Sequence, residues 1–243
     1  MLAPSLHLTL PRNIPISAQT VERMTQKSHS RAQAGFSLLE MMVVVGMSII
    51  ITAVAVPSYF STSRYLRITG DLRALNGITA QAKMRAAANF THARAYADLA
   101  AGTYHLELWN KAGNGGNGCW QTDGDTANPC TVAGSPVLIL SQGDTFGLGG
   151  LTTGPTPGQA TMAQAPGCRP GTANTPGGGS AAANTACIEF NSRGTPVDNT
   201  GAPVATGAIY ITNNMVVNGV TASGTGSIQT WSSPVSSASW HGQ

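Results

Sequence analysis

Residues 35–56 read GFSLLEMMVVVGMSIIITAVAV, and the fold follows from how this stretch is read. From Phe36 to Val56 it runs 21 residues with a single ionisable side chain, Glu40. At ~1.5 Å per residue, a helix of that length crosses the ~30 Å hydrocarbon core of a bilayer. A carboxylate near one end of such a segment costs on the order of a few kcal/mol unless it finds a partner. An α-amino group at the same depth supplies that partner if the chain is cut between Gly35 and Phe36. The small residues Ala32, Ala34 and Gly35 come before the apolar run, whereas a secretory signal peptide carries its cleavage site after it. Arg23, Lys27 and Arg31 lie on the N-terminal side with only Glu22 against them. The positive-inside rule therefore keeps that side cytoplasmic and sends the C-terminal part outward.

The string GFSLLEMMVVV at 35–45 resembles the processing site of type IV prepilins and pseudopilins. The resemblance implies that a membrane peptidase cuts after Gly35, that Phe36 becomes an N-methylated terminus, and that the Glu40 carboxylate neutralises the amino terminus of a neighbouring subunit. Residues 1–35 are then a cleaved leader, with Met24 as an alternative start giving MTQKSHSRAQAG. The implied partners are the prepilin peptidase, inner-membrane lipid and other pilins or pseudopilins in a filament tip or assembly complex. A buried ion pair adds little net stability, but either half left alone is costly, so such a pair acts as a register check during assembly.

Composition bounds the remainder. Charged residues make up 9% of the chain and there are 29 glycines, which points to turns and short strands rather than a helical enzyme. The formal charge of +3 belongs largely to the leader. Without residues 1–35, nine basic side chains face nine acidic ones, which removes a purely electrostatic case for a nucleic-acid partner.

The long helix is expected in two parts, a transmembrane half at 36–56 and an amphipathic half at 57–88. Pro57 is expected to kink it or loosen one turn. Beyond it Leu72, Leu75, Ile78 and Ala82 recur at three- and four-residue spacing, and Gly70 and Gly77 weaken the helix locally. After it come short β-like runs: TYHLELW from Thr103, PVLILS from Pro136, ACIEFNSRG from Ala186, AIYITNN from Ala208, MVVNGVTAS from Met215 and GSIQTW from Gly226. Asn213–Asn214, and Asn218–Gly219 soon after, read as hairpin chemistry. The expected architecture is α+β, a long N-terminal helix with an antiparallel, sandwich-like β head over 89–243. The Gly-, Asn- and Pro-rich stretches 110–130 and 150–184 are expected to be long, partly mobile surface loops.

The order of these parts, with IEFNSRGTP at 188–196, AIYITNN at 208–214 and TGSIQTW at 225–231, is similar to the GspH/FimT family of minor pilins and pseudopilins. DNA-binding members of the FimT branch carry a glycine-arginine-any-arginine motif in the last strand. The corresponding run here is Gly226-Ser227-Ile228-Gln229. Without those arginines the groups that contact phosphate are missing, so nucleic acid is not an expected partner. Arg169 and Arg193 remain as scattered cations.

The four cysteines, Cys119, Cys130, Cys168 and Cys187, lie on the exported side and are expected to be oxidised. Three pairings are open, and nearest-neighbour closure gives Cys119–Cys130 and Cys168–Cys187. The spacing lacks any C-x-x-C and has no histidine nearby, which disfavours zinc. Asp123, Asp125 and Asn128 offer oxygen ligands without a closing glutamate and read as an Asx-turn loop rather than a calcium site. His92 and His105 have no companion nucleophile motif, so no catalytic residues, metal or cofactor are expected. Trp240, if exposed, is a candidate anchor for a partner. The reading as a whole is a non-enzymatic inner-membrane minor pilin of type IV pilus assembly, with its head periplasmic. The alternatives are a GspH-type pseudopilin of type II secretion and, less favoured, a DNA-uptake receptor.

Overall fold

The structure, a computed structural model, describes residues 36–124, 137–158, 160–205 and 207–243. Among the described residues there are one long helix, α1 (Leu38–Ala88), then twelve strands and a short 3-10 turn at Asn114–Gly116. Two compact units divide the chain, Met1–Ile50 and Ile51–Gln243.

In the first unit, Ser37 caps α1. Its hydroxyl accepts the Glu40 N–H at 3.1 Å, and its carbonyl accepts the Met41 N–H. Ser at the N-cap satisfies one of the orphan donors of the first turn, and Glu40 in that turn complements the positive end of the helix dipole. Phe36 to Val56 is exposed throughout, and α1 contains a stretch long and apolar enough to cross a membrane.

In the second unit α1 passes Pro57, Gly70 and Gly77 without interruption. The helix continues through Pro57 to its amphipathic half, as expected. The Ser58 hydroxyl donates to the Val54 carbonyl at 3.1 Å beside the donor that proline removes. The helix ends as expected at Ala88. The Thr91 N–H returns to the Ala86 carbonyl, and Phe90, exposed, takes a left-handed φ of 49°.

The strands are β1 (Ala93–Asp98), β2 (Thr103–Asn110), β3 (Cys119–Thr122), β4 (Leu138–Ile139), β5 (Thr145–Phe146), β6 (Ala163–Gln164), β7 (Thr185–Phe190), β8 (Pro196–Val197), β9 (Gly207–Thr212), β10 (Val216–Ala222), β11 (Ile228–Pro234) and β12 (His241–Gly242). They form two six-stranded sheets. The first has the order β3-β2-β1-β7-β8, with β4 also on β2. The second has the order β12-β11-β10-β9-β5, with β6 also on β9. Every pairing is antiparallel except β6 with β9. The architecture is α+β, as read.

One apolar core joins α1 to both sheets. Ile68, Leu72, Leu75, Ile78, Ala82 and Ala86 meet Ala93, Ala95 and Ala97 of β1, Phe190 of β7, and Ile209 and Ile211 of β9. Alternation along each strand sets this side. On β1 the alanines face in, while Arg94, Tyr96 and Asp98 occupy the alternate positions. A second cluster lies on β9 and β10, where Tyr210, Ala208 and Val217 pack with Met162, Leu148, Leu151 and Trp240.

Four expectations about the head are corrected or refined. Parts of the stretch 150–184 are anchored on the second sheet: Met162 and Ala165 are buried, the Tyr210 hydroxyl donates to the Met162 carbonyl at 2.8 Å, and Trp240 Nε1 donates to the Thr153 carbonyl at 3.0 Å. Its glycines permit that contact, since a Cβ on Gly154 would lie 2.1 Å from both the Met162 carbonyl and the Tyr210 hydroxyl. Trp240 is accordingly half-buried against Tyr210 rather than free. Within 110–130, β3 pairs with β2 and places Trp120, 7% exposed, beside Trp109. Asn218 and Gly219 lie inside β10 and not at a turn, because a side chain at 219 would collide with the Tyr210 ring. Asn213–Asn214 does form the β9–β10 turn, with Asn214 at φ 65°.

Candidate functional site

Of the residues singled out at the N-terminus, Gly35 lies outside the described residues, Phe36 is 72% exposed, and Glu40 stands exposed in the first turn of α1. Ser37 was not anticipated as a cap. The spacing Ser37-x-x-Glu40 is the sequence signal that reveals it.

Cys168 and Cys187 are bonded as nearest-neighbour closure expects, with Cα atoms 5.1 Å apart. Cys119 is also disulfide-bonded, and its expected partner Cys130 lies outside the described residues, as do Asp125 and Asn128. Asp123 makes an ion pair with Arg85 of α1 at 3.2 Å, which gives it a local role in tying the end of β3 to the helix. Among the described residues, no three His, Cys, Asp or Glu side chains are grouped to hold a metal.

The segments that carried the family resemblance meet in space. In the turn after β7 the Asn191 carboxamide accepts the Arg193 and Thr195 N–H groups, and the turn closes on Gly194 at φ 71°. Lys83 of α1 donates to the Gly226 carbonyl at 2.9 Å, and a Cβ on Gly226 would lie 2.5 Å from the Gly194 carbonyl. The helix, the turn at 191–195 and the start of the last long strand are thus clamped together. Ser227 and Gln229 are exposed. Arg169 donates to the Gly179 carbonyl, and Arg193 is exposed in its turn.

The chemistry that the sequence reading missed lies on the outer face of the first sheet. Arg94 of β1 sits in register with Glu107 of β2 and Glu189 of β7. Its Nε donates to Glu107 Oε2 at 2.5 Å, its Nη1 donates to the Arg169 carbonyl at 2.6 Å, and its guanidinium lies 4.0 Å from the Trp120 ring centre. Arg94 and Glu107 are each 4% exposed. Burial raises the Glu107 carboxyl, but the Arg94 charge and hydrogen bonds from His105 and Arg94 outweigh it and hold the group below its ordinary range. His105 Nε2 lies 3.3 Å from Glu107 Oε1, and its ring stacks on Tyr96 with centres 4.7 Å apart. His105 Nδ1 is buried with no hydrogen-bond partner among the described residues. Such an atom costs ~1–3 kcal/mol unless something outside the protein satisfies it. Nearby, His92 Nδ1 lies 2.7 Å from Glu189. The disulfide and the Trp120 Nε1 bond to the Pro176 carbonyl at 3.2 Å secure the segment after Cys168 beside this face.

A second polar junction ties α1 to the turn after β4. Asp71 accepts the Ser141 N–H at 2.7 Å and the Ser141 hydroxyl at 3.1 Å. Asp144 lies against the same carboxylate. Burial first, then a hydrogen bond to Asp71 and its charge, push the Asp144 carboxyl up to about 7, with Arg67 opposing. Burial and the Asp71 charge also push Tyr104 up to about 12.

At a significant level the chain matches no protein-family model, no curated protein and no solved structure.

Proposed function

We propose that the chain is a non-enzymatic minor pilin of the GspH/FimT kind, anchored in the inner membrane and taking part in type IV pilus assembly. One observation carries the proposal: Glu40 is the single ionisable side chain between Phe36 and Val56, held exposed in the first turn of an apolar helix. An exposed carboxylate at that depth serves an intermolecular partner, and the amino terminus of a neighbouring subunit cut before Phe36 is at the right depth to be one. The α+β head, with α1 packed on two sheets and the 191–195 turn clamped to Gly226, supports the family reading. A GspH-type pseudopilin of type II secretion shares every one of these features.

Mass spectrometry of the membrane form is the direct test of processing, with methylated Phe36 as the expected N-terminus. Glu40→Ala is expected to spare insertion and cleavage yet abolish incorporation into filaments. Ser37→Ala removes the helix cap, worth ~1 kcal/mol, but keeps the charge, and it is expected to retain incorporation. An intact leader in cells with an active prepilin peptidase, or normal filaments with Glu40→Ala, would refute the proposal. Loss of pili or loss of secretion in the Glu40→Ala strain separates the two assemblies.

A further inference from the structure

The outer face of the first sheet holds a cavity of about 520 Å³, bounded by Arg94, Tyr96, Asp98, Thr103, His105 and Glu107, with Trp120, Pro170 and Ser180 at its walls. That volume suits a small molecule, and the proposed assembly role makes no use of it. Its floor is polar without net charge, because Arg94 and Glu107 neutralise one another and the Trp120 ring covers the guanidinium. Farther out, Asp98 and Arg169 add one charge of each sign. A strongly charged ligand therefore finds no complementary field here.

His105 sets the polarity of the bond on offer. Glu107 on one side and the Tyr96 ring on the other fix its imidazole. In the tautomer whose Nε2–H donates to the Glu107 carboxylate, Nδ1 is an acceptor. This atom is buried, lacks a partner among the described residues, and belongs to a side chain 5% exposed that lines the cavity. The group that completes it is a hydrogen-bond donor. Asp98 is an acceptor as well, while the Thr103 and Ser180 hydroxyls both donate and accept. Hydroxyl groups, which donate and accept, match this set. The Trp120 and Pro170 walls suit the C–H faces of a ring.

We propose that this cavity binds a neutral, hydroxyl-rich ligand of saccharide size, one hydroxyl of which donates to His105 Nδ1 while others bond to Asp98, Thr103 and Ser180. The site lies within β1, β2 and the segment after Cys168, so it stands whether or not the N-terminus is processed as proposed above.

The test uses the full chain in a detergent without a sugar headgroup. Saturation-transfer NMR and calorimetric titration are run with glucose, galactose, N-acetylglucosamine and its β-1,4-linked tetramer. At least one neutral sugar is expected to bind, and His105→Phe, which keeps the ring stack but removes the acceptor, is expected to weaken it tenfold or more. Because His105→Phe also deprives Glu107 of a donor, the paired rim variant Thr103→Val with Ser180→Ala is measured alongside and is expected to weaken binding at least threefold. A tetramer that binds more tightly than the monomer identifies a glycan chain as the source, and equal affinity identifies a free sugar. The proposal is overturned if no neutral sugar binds, if glucuronate binds more tightly than glucose, or if affinity is unchanged in the rim variant and in any folded His105→Phe protein.

Discussion

The Asp71–Asp144 junction gives the sharpest quantitative handle on the head, and Asp144→Asn is the perturbation that isolates it. In the folded protein the Asp144 carboxyl is pushed from its ordinary 3.8 up to about 7, first by burial and then by Asp71. A carboxyl raised in this way favours folding below its unfolded value. That contribution is lost as pH rises through about 7, because the folded state must then ionise a second carboxylate beside the first. At ~1.4 kcal/mol per tenfold change in proton affinity, the interval bounds the penalty at ~4 kcal/mol. Asp144 is only partly buried, so solvent screening lowers the expected figure to ~1–2 kcal/mol. Asn at 144 cannot ionise, yet its amide still donates to Asp71. The variant is expected to approach wild type below pH 4, to gain on it progressively between pH 5 and pH 7, and to exceed it by ~1–2 kcal/mol at pH 8, a rise in Tm of ~3–6 °C for a domain of this size. The assay is thermal unfolding of the detergent-solubilised chain followed by tryptophan fluorescence, since Trp109, Trp120, Trp231 and Trp240 all lie in the second unit. Taking the difference between variant and wild type cancels the other groups that titrate in this range. A Tm difference that stays constant from pH 5 to pH 8, or a variant less stable at pH 8, would refute the shared-proton geometry.

Gly154→Ala is expected to lower the urea midpoint by the equivalent of ~2–3 kcal/mol with the m-value unchanged, because its Cβ would overlap the Met162 carbonyl and the Tyr210 hydroxyl; wild-type stability would show that the 150–184 segment is not packed on the second sheet. The unmodified chain is expected to bind double-stranded DNA no better than micromolar at physiological salt. The double variant Ser227→Arg with Gln229→Arg, at two exposed positions, is expected to raise affinity and steepen its salt dependence; nanomolar, salt-sensitive binding by wild type in a gel shift would reverse the ranking of functions.

Much of the fold was legible because its signals are local. The apolar run from Phe36, the three- and four-residue spacing of Leu72, Leu75 and Ile78, and the β-rich runs that became β2, β7, β9, β10 and β11 are each contained within one segment. The longest strand that escaped notice is β1, the strand between β2 and β7 in the first sheet. Its sequence, ARAYAD, has strict period-2 alternation, but alanine has weak strand propensity and the segment follows a helix rich in the same residue. The structure supplies a reason for alanine there. Ala93, Ala95 and Ala97 are at most 1% exposed and share the core with Leu72, Leu75 and Ile78 of α1. A small side chain on β1 leaves room for the larger ones of the helix, so packing overrides propensity. The 150–184 stretch is a largely exposed loop apart from β6, as its composition reads, but parts of it are anchored on the second sheet. Glycine at 154 is what lets the backbone approach Tyr210 closely enough to bury it.

The functional chemistry divides along the same line between local and non-local information. The proposed processing signal is a contiguous string, so Gly35, Phe36 and Glu40 could be picked out together. The outer-face cluster could be found only in part. His105 and Glu107 alternate on TYHLELW and must share one face of any strand made there. Nothing within that segment says that the facing residue is Arg94, because the pairing depends on the β1–β2 register, and the approach of Trp120 depends on β3 folding back onto β2. Asp71 and Asp144 meet across a much longer stretch of chain. Each non-local contact puts a charged group where water is largely excluded, and each is tolerated because a second group answers the first. His105 Nδ1 is one of several buried polar atoms without a hydrogen-bond partner among the described residues, Asp144 Oδ2 being another, and of these residues it is His105 that lines the cavity on the first sheet. Burying a histidine beside a glutamate and an arginine that already satisfy one another gains the head little stability, so the unanswered nitrogen is better explained by what enters the cavity than by the fold that surrounds it.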